Sequence, residues 1–277
     1  MSSELSSGPP VALTIAGSDS GGGAGLQADL RTFAMCGVHG CVAVTAVTVQ
    51  NSMGVTGVVE IPASTVADQI RAVVTDIGVA AAKTGMLASA AIIRAVARVC
   101  DELGIGRHRV VPLVVDPVAA SMHGDPLLSG DALAVLRREL LSRATLVTPN
   151  LDEVRLLVGM NVRCSAEQYD AAHALHALGP RWVLVKGGHL TGNASCLDLL
   201  YDGSEFTAFT SPRLATPHTH GSGDTLAAAI TSALARGAPV PEAVGYAKRY
   251  IEQALAHAYP LGAGVGPVSP FWRLTSS

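Results

Sequence analysis

Aromatic side chains and runs of positive charge are both scarce in this sequence. Phe, Trp and Tyr account for 4% of the 277 residues, although 49% of them are hydrophobic. The interior must therefore be built mainly from Ala, Val and Leu, as is typical of parallel strands buried between helices. The formal net charge is −3, and Lys and Arg nowhere form a run. This balance argues against nucleic acid or an anionic membrane as a partner, and it favours a small molecule.

Segments that direct a chain to or through a membrane are also lacking. No apolar run is long enough to span a bilayer, and residues 1–10 contain no apolar core of a signal peptide. We expect residues 1–10 to form a flexible tail and residues 11–277 to form one domain, because no repeat or linker divides them. The five cysteines include no C-x-x-C pair. We therefore expect reduced thiols in a cytoplasmic protein.

Two common phosphate-binding motifs are missing as well. No Gly-Lys pair occurs, which excludes a Walker A loop. The glycine-rich stretch 17–25 lies between a predicted strand and a predicted helix, but the dinucleotide pattern requires a third glycine where Leu26 stands. No acidic residue follows about 20 positions later, where one would bind a ribose. These absences argue against a nicotinamide cofactor.

The chain does contain a regular alternation of apolar segments and amphipathic segments. Strands are predicted at 11–16, 40–49, 79–83, 110–115, 145–147 and 182–185, and helices at 26–35, 62–76, 88–102, 221–236 and 241–258. This alternation predicts an α/β fold with a mostly parallel sheet and helices on both faces. Ligands bind such sheets outside the carboxyl ends of the strands. The residues at five strand ends should therefore line one cleft, namely Gly17, Gln50, Asp116, Asn150 and Lys186.

The stretch HGSGDT, residues 220–225, is the strongest candidate for the reacting centre. Gly221 and Gly223 let the backbone approach a ligand closely, and the first N–H groups of the following helix have no intrahelical partners. Such groups form an anion site. Asp224 stands beside it and suggests a general base. The structural alternative is that Ser222 or Asp224 is an ordinary N-cap.

Polar residues after two other strands suggest a phosphate and metal site. Lysine occurs only three times, and Lys186 directly follows an apolar strand, where a point charge suits a phosphate oxygen. Asn150 and Glu153 are three residues apart at a predicted helix start, so both can face one Mg²⁺ ion, directly or through water. Lys248, on the last predicted helix, is left without an assigned role.

Two further residues suggest a pocket for a flat heteroaromatic ring. The carboxamide of Gln50 offers a donor and an acceptor side by side, which matches a ring nitrogen next to an amino group. The alternative is that Gln50 caps a loop. Met86 can pack on an aromatic face, although a lone methionine is more often core filling. The predicted hairpin at 197–209, with Asp202 and Gly203 at its turn, could form a flap beside a nucleotide.

Taken together, these motifs resemble the hydroxymethylpyrimidine and hydroxymethylpyrimidine-phosphate kinases of thiamine biosynthesis, within the ribokinase-like kinases. The matching stretches are ALTIAGSDSGGGAGLQADL, AVTAVTVQN, AAKTGML, VVDPVAASMHGDPLL, TLVTPNLDE, VLVKGGH and THGSGDTLAAAI. The resemblance implies a single-domain three-layer α/β/α sandwich, ATP and Mg²⁺ as requirements, and a homodimer. It places the pyrimidine near Ala24, Gln50, Met86 and Val118. It places Asp116, Asn150 and Glu153 around metal and phosphates, Lys186 on the ATP phosphates, and Thr219, Gly221 and Gly223 in the nucleotide and anion-hole region.

Two residues depart from the pattern of that family. Many members carry cysteine where this chain has Asp224, whereas sugar and pyridoxal kinases of the wider superfamily carry aspartate. Ser222 also stands where threonine is usual. The expected activity is phosphorylation of the aminopyrimidine alcohol and then of its monophosphate, and a pyridoxal kinase is the nearest alternative. A ligand-binding regulator on an inactive kinase fold is a third possibility, although it would have no need to keep Asp224, Lys186 and Glu153 together.

Overall fold

The structure is built around one nine-stranded sheet. It is a computed structural model that describes residues 8–119, 128–188, 190 and 195–275. The strands are β1 (Val11–Ser18), β2 (His39–Asn51), β3 (Gly54–Glu60), β4 (Ala81–Thr84), β5 (Leu113–Val115), β6 (Leu146–Val147), β7 (Trp182–Lys186), β8 (Ser195–Tyr201) and β9 (Phe206–Pro212). Their order is β3-β2-β1-β4-β5-β6-β7-β8-β9. The pairs from β2 through β1 to β7 are parallel, and β3, β8 and β9 add antiparallel edges. The predicted, mostly parallel sheet is confirmed.

Helices cover both faces of this sheet. They are α1 (Gly25–Met35), α2 (Ala63–Asp76), α3 (Ala90–Glu102), α4 (Gly130–Val135), α5 (Leu151–Val158), α6 (Ser165–His176), α7 (Ser222–Ala235), α8 (Val240–Ala256) and the short α9 (Trp272–Thr275). Successive strand residues point to opposite faces. Ala12 and Val114 accordingly pack with α1, α7 and α8, whereas Leu13 and Val115 pack with α2, α3, α5 and α6. This double burial explains why the central strands are mostly apolar.

The helix α7 is the most deeply buried helix and carries the reacting centre at its start. It packs on β1, β4 and β5 and is covered by α1 and α8. Eleven of its residues are buried, including the run from Ala227 to Ala229. Small side chains let the helix approach the sheet closely. Its N-terminus therefore lies at the carboxyl ends of the central strands.

Several predicted boundaries need correction. The strand predicted from Val110 begins at Leu113, because residues 107–110 form turns and a bend. The predicted hairpin is confirmed but longer, and its strands β8 and β9 extend the main sheet instead of forming a separate flap. Strand β3 and helices α4, α6 and α9 were not predicted. Most of the predicted tail, residues 1–7, lies outside the described residues, so its flexibility stays a prediction.

Within the described part of the chain, no helix has both the length and the apolar character needed to cross a membrane. The cysteines form no disulfide, and Cys36, Cys41 and Cys100 are buried.

Candidate active site

A single large cleft opens at the carboxyl ends of the parallel strands. Its volume is about 950 Å³. The strand-end residues Gly17, Gln50, Asp116, Asn150 and Lys186 all line it. The other site residues expected from the sequence line it too, namely Ala24, Met86, Val118, Glu153, Thr219, Gly221, Gly223 and Asp224. The structure therefore brings every expected residue to one place.

One end of the cleft is lined by Gly17, Gln50 and Met86. A Cβ atom on Gly17 would lie 2.5 Å from Cε of Met86, so the thioether lies directly over that glycine. The side chain of Gln50 does not cap a loop. Its Oε1 accepts a hydrogen bond from Oγ1 of Thr48 at 3.1 Å, while its backbone is tied to Ser20. The Gln50 carboxamide can therefore face a ligand from the end of β2.

The glycine-rich loop before α1 is folded around the carboxylate of Asp19. This carboxylate accepts hydrogen bonds from the N–H groups of Gly21, Gly23 and Ala24. Nε2 of His220 lies 2.9 Å from Oδ2 of Asp19. Burial acts to raise the pKa of Asp19, but the bonds from His220 and the backbone outweigh it and lower the pKa. Asp19 thus shapes the loop that carries Ala24.

The start of α7 is in direct contact with this loop. Gly221 is the N-cap with a φ of 74°, and a Cβ atom there would lie 1.9 Å from the carbonyl oxygen of Gly23. Only glycine fits both constraints. The alternative that Ser222 or Asp224 is the N-cap is wrong, because Gly221 holds that position without a side-chain cap. The carboxylate of Asp224, in the first turn, is free to face the cleft.

A buried lysine that the sequence analysis left unassigned lies behind Asp224. The side chain of Lys83 is 0% exposed, and its Nζ lies 2.7 Å from Oδ1 of Asp29 and 3.9 Å from Oδ1 of Asp224. Burial acts to lower the pKa of Lys83, but the carboxylates outweigh burial and raise it. Burial raises the pKa of Asp224, and the charge of Lys83 opposes this rise. A lysine inside the apolar strand AAKT was the available sequence signal.

A second charged cluster lies on the other side of the α7 N-terminus. Nζ of Lys186 lies 3.3 Å from Oδ1 of Asp116 and 4.0 Å from Oε2 of Glu153. Burial raises the pKa of Glu153 to about 8, with Lys186 opposing the rise and Asp116 adding to it. A Cβ atom on Gly223 would lie 3.5 Å from Lys186 Nζ and 3.6 Å from Asp116 Oδ2. The cluster therefore reaches the first turn of α7.

The spacing of Asn150 and Glu153 has a structural explanation. The two residues form a capping box at the start of α5, in which Asn150 Oδ1 accepts the Glu153 N–H and Glu153 Oε2 accepts the Asn150 N–H. Asn150 Oδ1 thus serves the cap, so the spacing has a structural explanation, and the metal role expected from it stays a prediction. Glu153 keeps its second carboxylate oxygen available to the cleft.

The described residues include no group of three or more His, Cys, Asp or Glu side chains that could hold a metal ion by themselves. Magnesium sites in phosphoryl-transfer enzymes usually combine one or two carboxylates with phosphate oxygens. Asp116 and Glu153 are such a pair, since both are buried carboxylates beside the same lysine. The residues present therefore fit Mg²⁺ carried in with a nucleotide.

The third lysine also reaches the cleft. Nζ of Lys248 lies 2.7 Å from Oδ2 of Asp198, whose other oxygen accepts the Gly187 N–H. Each of the three lysines of the chain is therefore paired with a carboxylate at or beneath this cleft. Strand β3 contributes Val55 and Val58 to the opposite wall. Residues 120–127 of the stretch VVDPVAASMHGDPLL and His189 lie outside the described residues.

Comparisons with known proteins agree with this geometry. The family model described as phosphomethylpyrimidine kinase matches residues 19–269. The hydroxymethylpyrimidine/phosphomethylpyrimidine kinase of Mycobacterium tuberculosis (strain ATCC 25618 / H37Rv) is 60% identical over 267 residues, covering 96% of each chain.

Two solved structures give the same picture. Bacillus subtilis pyridoxal kinase, solved as an ADP complex, matches 97% of this chain and 100% of its own with a TM-score of 0.88 and 37% identity. The phosphomethylpyrimidine kinase of Clostridium difficile 630 matches 88% of this chain and 99% of its own with a TM-score of 0.78 and 37% identity. The chain belongs to the phosphomethylpyrimidine kinase family.

Proposed function

We propose that this chain transfers the γ-phosphoryl group of ATP to 4-amino-5-hydroxymethyl-2-methylpyrimidine and then to the resulting monophosphate, for thiamine biosynthesis. The name of the Mycobacterium tuberculosis relative covers both phosphorylations. The site chemistry supports the same reaction. The cleft combines a pocket lined by Gln50 and Met86, a helix N-terminus that can bind an anion, and the carboxylate of Asp224, and together these meet the needs of a kinase for a small heteroaromatic alcohol.

The observation that carries this proposal is the position of the first turn of α7. Gly221 touches the loop that forms the heteroaromatic pocket, and Gly223 faces Lys186 and Asp116. Asp224 follows within the same turn. A hydroxymethyl group on a ring in the pocket would thus meet the base and the phosphate cluster together.

Each residue then has a chemical task. Gln50 would bind the amino edge of the pyrimidine, while Ala24, Met86 and Val118 would hold its ring. Lys186 and the free N–H groups around Gly221 and Gly223 would bind the phosphate oxygens and stabilise the charge of the transferring group. Asn150 and Thr219 would lie beside the nucleotide. Asp116 and Glu153, together with ATP phosphate oxygens, would hold Mg²⁺, which supplies charge neutralisation when bound.

The first step is phosphoryl transfer to the alcohol. The substrate hydroxyl gives its proton to the carboxylate of Asp224 while its oxygen forms a bond to the γ-phosphorus. The bond from that phosphorus to the β–γ bridging oxygen breaks, and ADP leaves with the electron pair. In the second step a phosphate oxygen of the monophosphate forms a bond to the γ-phosphorus of a second ATP, and ADP again leaves with the electron pair of the broken bond. No hydroxyl proton has to be removed in this step.

One observation favours a second candidate function, pyridoxal kinase. The Bacillus subtilis pyridoxal kinase structure matches this chain with a higher TM-score than the Clostridium difficile phosphomethylpyrimidine kinase does. Pyridoxal is also a flat heteroaromatic ring with a primary hydroxymethyl group. The higher sequence identity of the Mycobacterium tuberculosis relative nevertheless favours the aminopyrimidine.

A substrate panel tests the proposal. The purified chain is incubated with ATP and MgCl₂ and, in turn, the aminopyrimidine alcohol, its monophosphate and pyridoxal, and ADP release and phosphorylated product are measured. We expect turnover of both pyrimidines and a higher kcat/KM for the alcohol than for pyridoxal. A preference for pyridoxal would establish the second candidate. Binding of the pyrimidine by calorimetry without any turnover would instead indicate a ligand-binding regulator.

Two properties beyond the reaction are part of the proposal. We place the enzyme in the cytoplasm, which the absence of disulfides among its five cysteines supports. We also propose a homodimer. The supporting observation is an exposed apolar face on the β2–β3 ribbon, formed by Val47, Val49 and Val59.

A further inference from the structure

Lys83 is a charged residue buried where a charge is costly. Its side chain is 0% exposed in the middle of the sheet, on strand β4 between β1 and β5. A buried ion pair is weak evidence for stability, because apolar residues of similar volume often stabilise a core equally well. The pairing of Lys83 with Asp29 therefore does not account for its presence, which points to a task at the reacting centre.

The surroundings of Lys83 form a row that leads from the core to the cleft. Oγ1 of Thr14 donates to Oδ2 of Asp29 at 2.6 Å, and Nζ of Lys83 donates to Oδ1 of Asp29 at 2.7 Å. On its other side, the same Nζ lies 3.9 Å from Oδ1 of Asp224. Asp29 comes from α1, Lys83 from β4 and Asp224 from α7, so three elements hold one ammonium group between two carboxylates.

We propose that Lys83 is a positioning residue for catalysis, which keeps Asp224 ionised so that it can deprotonate the substrate alcohol. Asp29 holds Lys83 in place and partly neutralises its charge. This inference rests on the proposed function, because it assigns Asp224 the role of base. A carboxylate that takes a proton must be ionised before the reaction. Without a cation nearby, a buried carboxylate at this position would be protonated over more of the neutral pH range.

Other charged groups besides Lys83 also shift the pKa of Asp224. The charged or titratable groups that bear on it are Lys83 and Asp29 below it, Asp116, Glu153 and Lys186 toward the phosphate cluster, and His220 before α7. Burial and Asp116 raise the pKa of Asp224, whereas Lys83, His220 and Lys186 lower it. Among the cations, Lys83 has the largest effect, and it is the one that lies within 4 Å of the carboxylate.

Two variants should shift the pH dependence of the alcohol reaction in opposite directions. Lys83→Met removes the cation, so the pKa of Asp224 rises and the acid limb of kcat/KM moves to higher pH, by about one pH unit or more. Asp29→Asn keeps a hydrogen-bond acceptor for Lys83 but removes the competing carboxylate. The full charge of Lys83 then acts on Asp224, and the acid limb moves to lower pH.

The monophosphate provides the internal control. Its reaction needs no proton removal by Asp224, and its acid limb follows the second pKa of the substrate phosphate, near 6. The limb for the monophosphate should therefore stay in place in both variants. A loss of folding would lower the rates on both substrates and the melting temperature, without a substrate-specific shift. If Lys83→Met does not fold, Asp29→Asn alone decides.

The outcomes separate the inference from the proposed function. Opposite shifts for the alcohol and none for the monophosphate support the role of Lys83. Unchanged limbs, or shifts in the same direction in both variants, overturn it while the kinase activity of the wild type stands. If the wild type phosphorylates no hydroxymethyl heteroaromatic at all, pyridoxal included, the proposed function fails and the inference fails with it.

Discussion

The two proposed reaction steps require different properties of the side chain at position 224. An alcohol must lose its proton, and a carboxylate within hydrogen-bond reach can take it. A phosphate monoester is already mostly a dianion at neutral pH, so a fixed negative charge beside it repels the substrate. A neutral cysteine, which the family resemblance implies at this position in many members, would not repel the dianion. Aspartate here should favour the alcohol step over the monophosphate step.

Asp224→Asn tests this preference directly. The amide keeps the size of the side chain but cannot accept the proton, so we expect kcat for the alcohol to fall by about 10²–10⁴-fold. The rate for the monophosphate should fall much less, because the repulsion disappears with the charge. Steady-state constants for both substrates in wild type and variant give the answer. Equal fractional losses would show that Asp224 is no base specific to the alcohol.

Gln50 is expected to determine binding of the pyrimidine and not of the nucleotide. Replacing it by leucine leaves the polar edge of the ring without a partner, which costs about 1–3 kcal/mol of substrate binding. The dissociation constant of the aminopyrimidine should rise accordingly, while that of ATP stays unchanged. Calorimetric titration of each ligand provides the comparison. Equal weakening of both would indicate that Gln50 only supports the end of β2.

At the level of single residues, the sequence was informative where function follows a local pattern. Gln50, Asp116 and Lys186 each follow an apolar strand, so their convergence could be predicted. The pairing of Lys83 with Asp29 could not be, because the partners are 54 positions apart and belong to different elements. The spacing of Asn150 and Glu153 could not distinguish a capping box from a metal site, because both favour the same residues.

At the start of α5, Glu153 is part of the capping box and is also a proposed ligand of Mg²⁺. Glu153→Gln keeps an oxygen that can accept the Asn150 N–H, so the melting temperature should change little. It removes the carboxylate that the proposed Mg²⁺ site would ionise on metal binding, and the Mg²⁺ concentration for half-maximal rate should rise about tenfold or more. Glu167→Gln is a matched control, because Glu167 accepts the Arg163 N–H at the start of α6, away from the cleft. An unchanged Mg²⁺ requirement in Glu153→Gln would leave Glu153 with the cap alone.

The helix α7 offers a matched pair of glycines, one at each end. Gly221→Ala places a Cβ atom 1.9 Å from the Gly23 carbonyl oxygen, so the loop or the helix start must move. Loss of an aligned anion hole should lower kcat by about 10²–10³-fold. Gly237→Ala introduces a similar positive φ of 86° where nothing lies within 4 Å, and it should cost only about 1–2 kcal/mol of stability. Melting temperatures and kcat for both variants separate strain from misalignment, and equal kcat values would contradict this assignment.

Two of the elements that escaped prediction, β3 and α6, did so for physical reasons. Strand β3 has the sequence GVTGVVE, in which glycines interrupt the pattern and most side chains are exposed, so no apolar periodicity marks it. Helix α6 has polar and small residues around most of its circumference, with only Gln168, Ala171, Ala172 and Leu175 buried. Both are stabilised by their neighbours in the fold, information that a single segment does not contain.

At the scale of the whole molecule, the sequence could indicate the fold class but not the strand order. Parallel strands alternating with helices must share one carboxyl-terminal edge, whatever their order. The order places β1 beside both β2 and β4, and thereby joins the glycine loop, Gln50 and Lys83 around α7. That arrangement depends on crossover connections and helix packing between segments distant in the chain.

The outer face of the β2–β3 ribbon yields the prediction about assembly. Val47 lies opposite Val59, and Val49 lies opposite Gly57, so these apolar side chains share one face at the edge of the sheet. Val49 is 59% and Val59 is 65% exposed. Exposed apolar surface of this kind marks an interface.

We expect the wild type to sediment as a dimer at micromolar concentration and Val59→Lys to sediment as a monomer, because a charge cannot be buried there without a partner. Val110→Lys is the matched control. Val110 is 97% exposed and lies outside this face, so this variant should leave the dimer intact.

The inner face of the same ribbon carries Val58 and lines the cleft. Monomerisation should therefore also loosen this wall and raise KM for the aminopyrimidine, while kcat changes less. A monomeric wild type, or a dimer that withstands Val59→Lys, would show that this face serves another purpose.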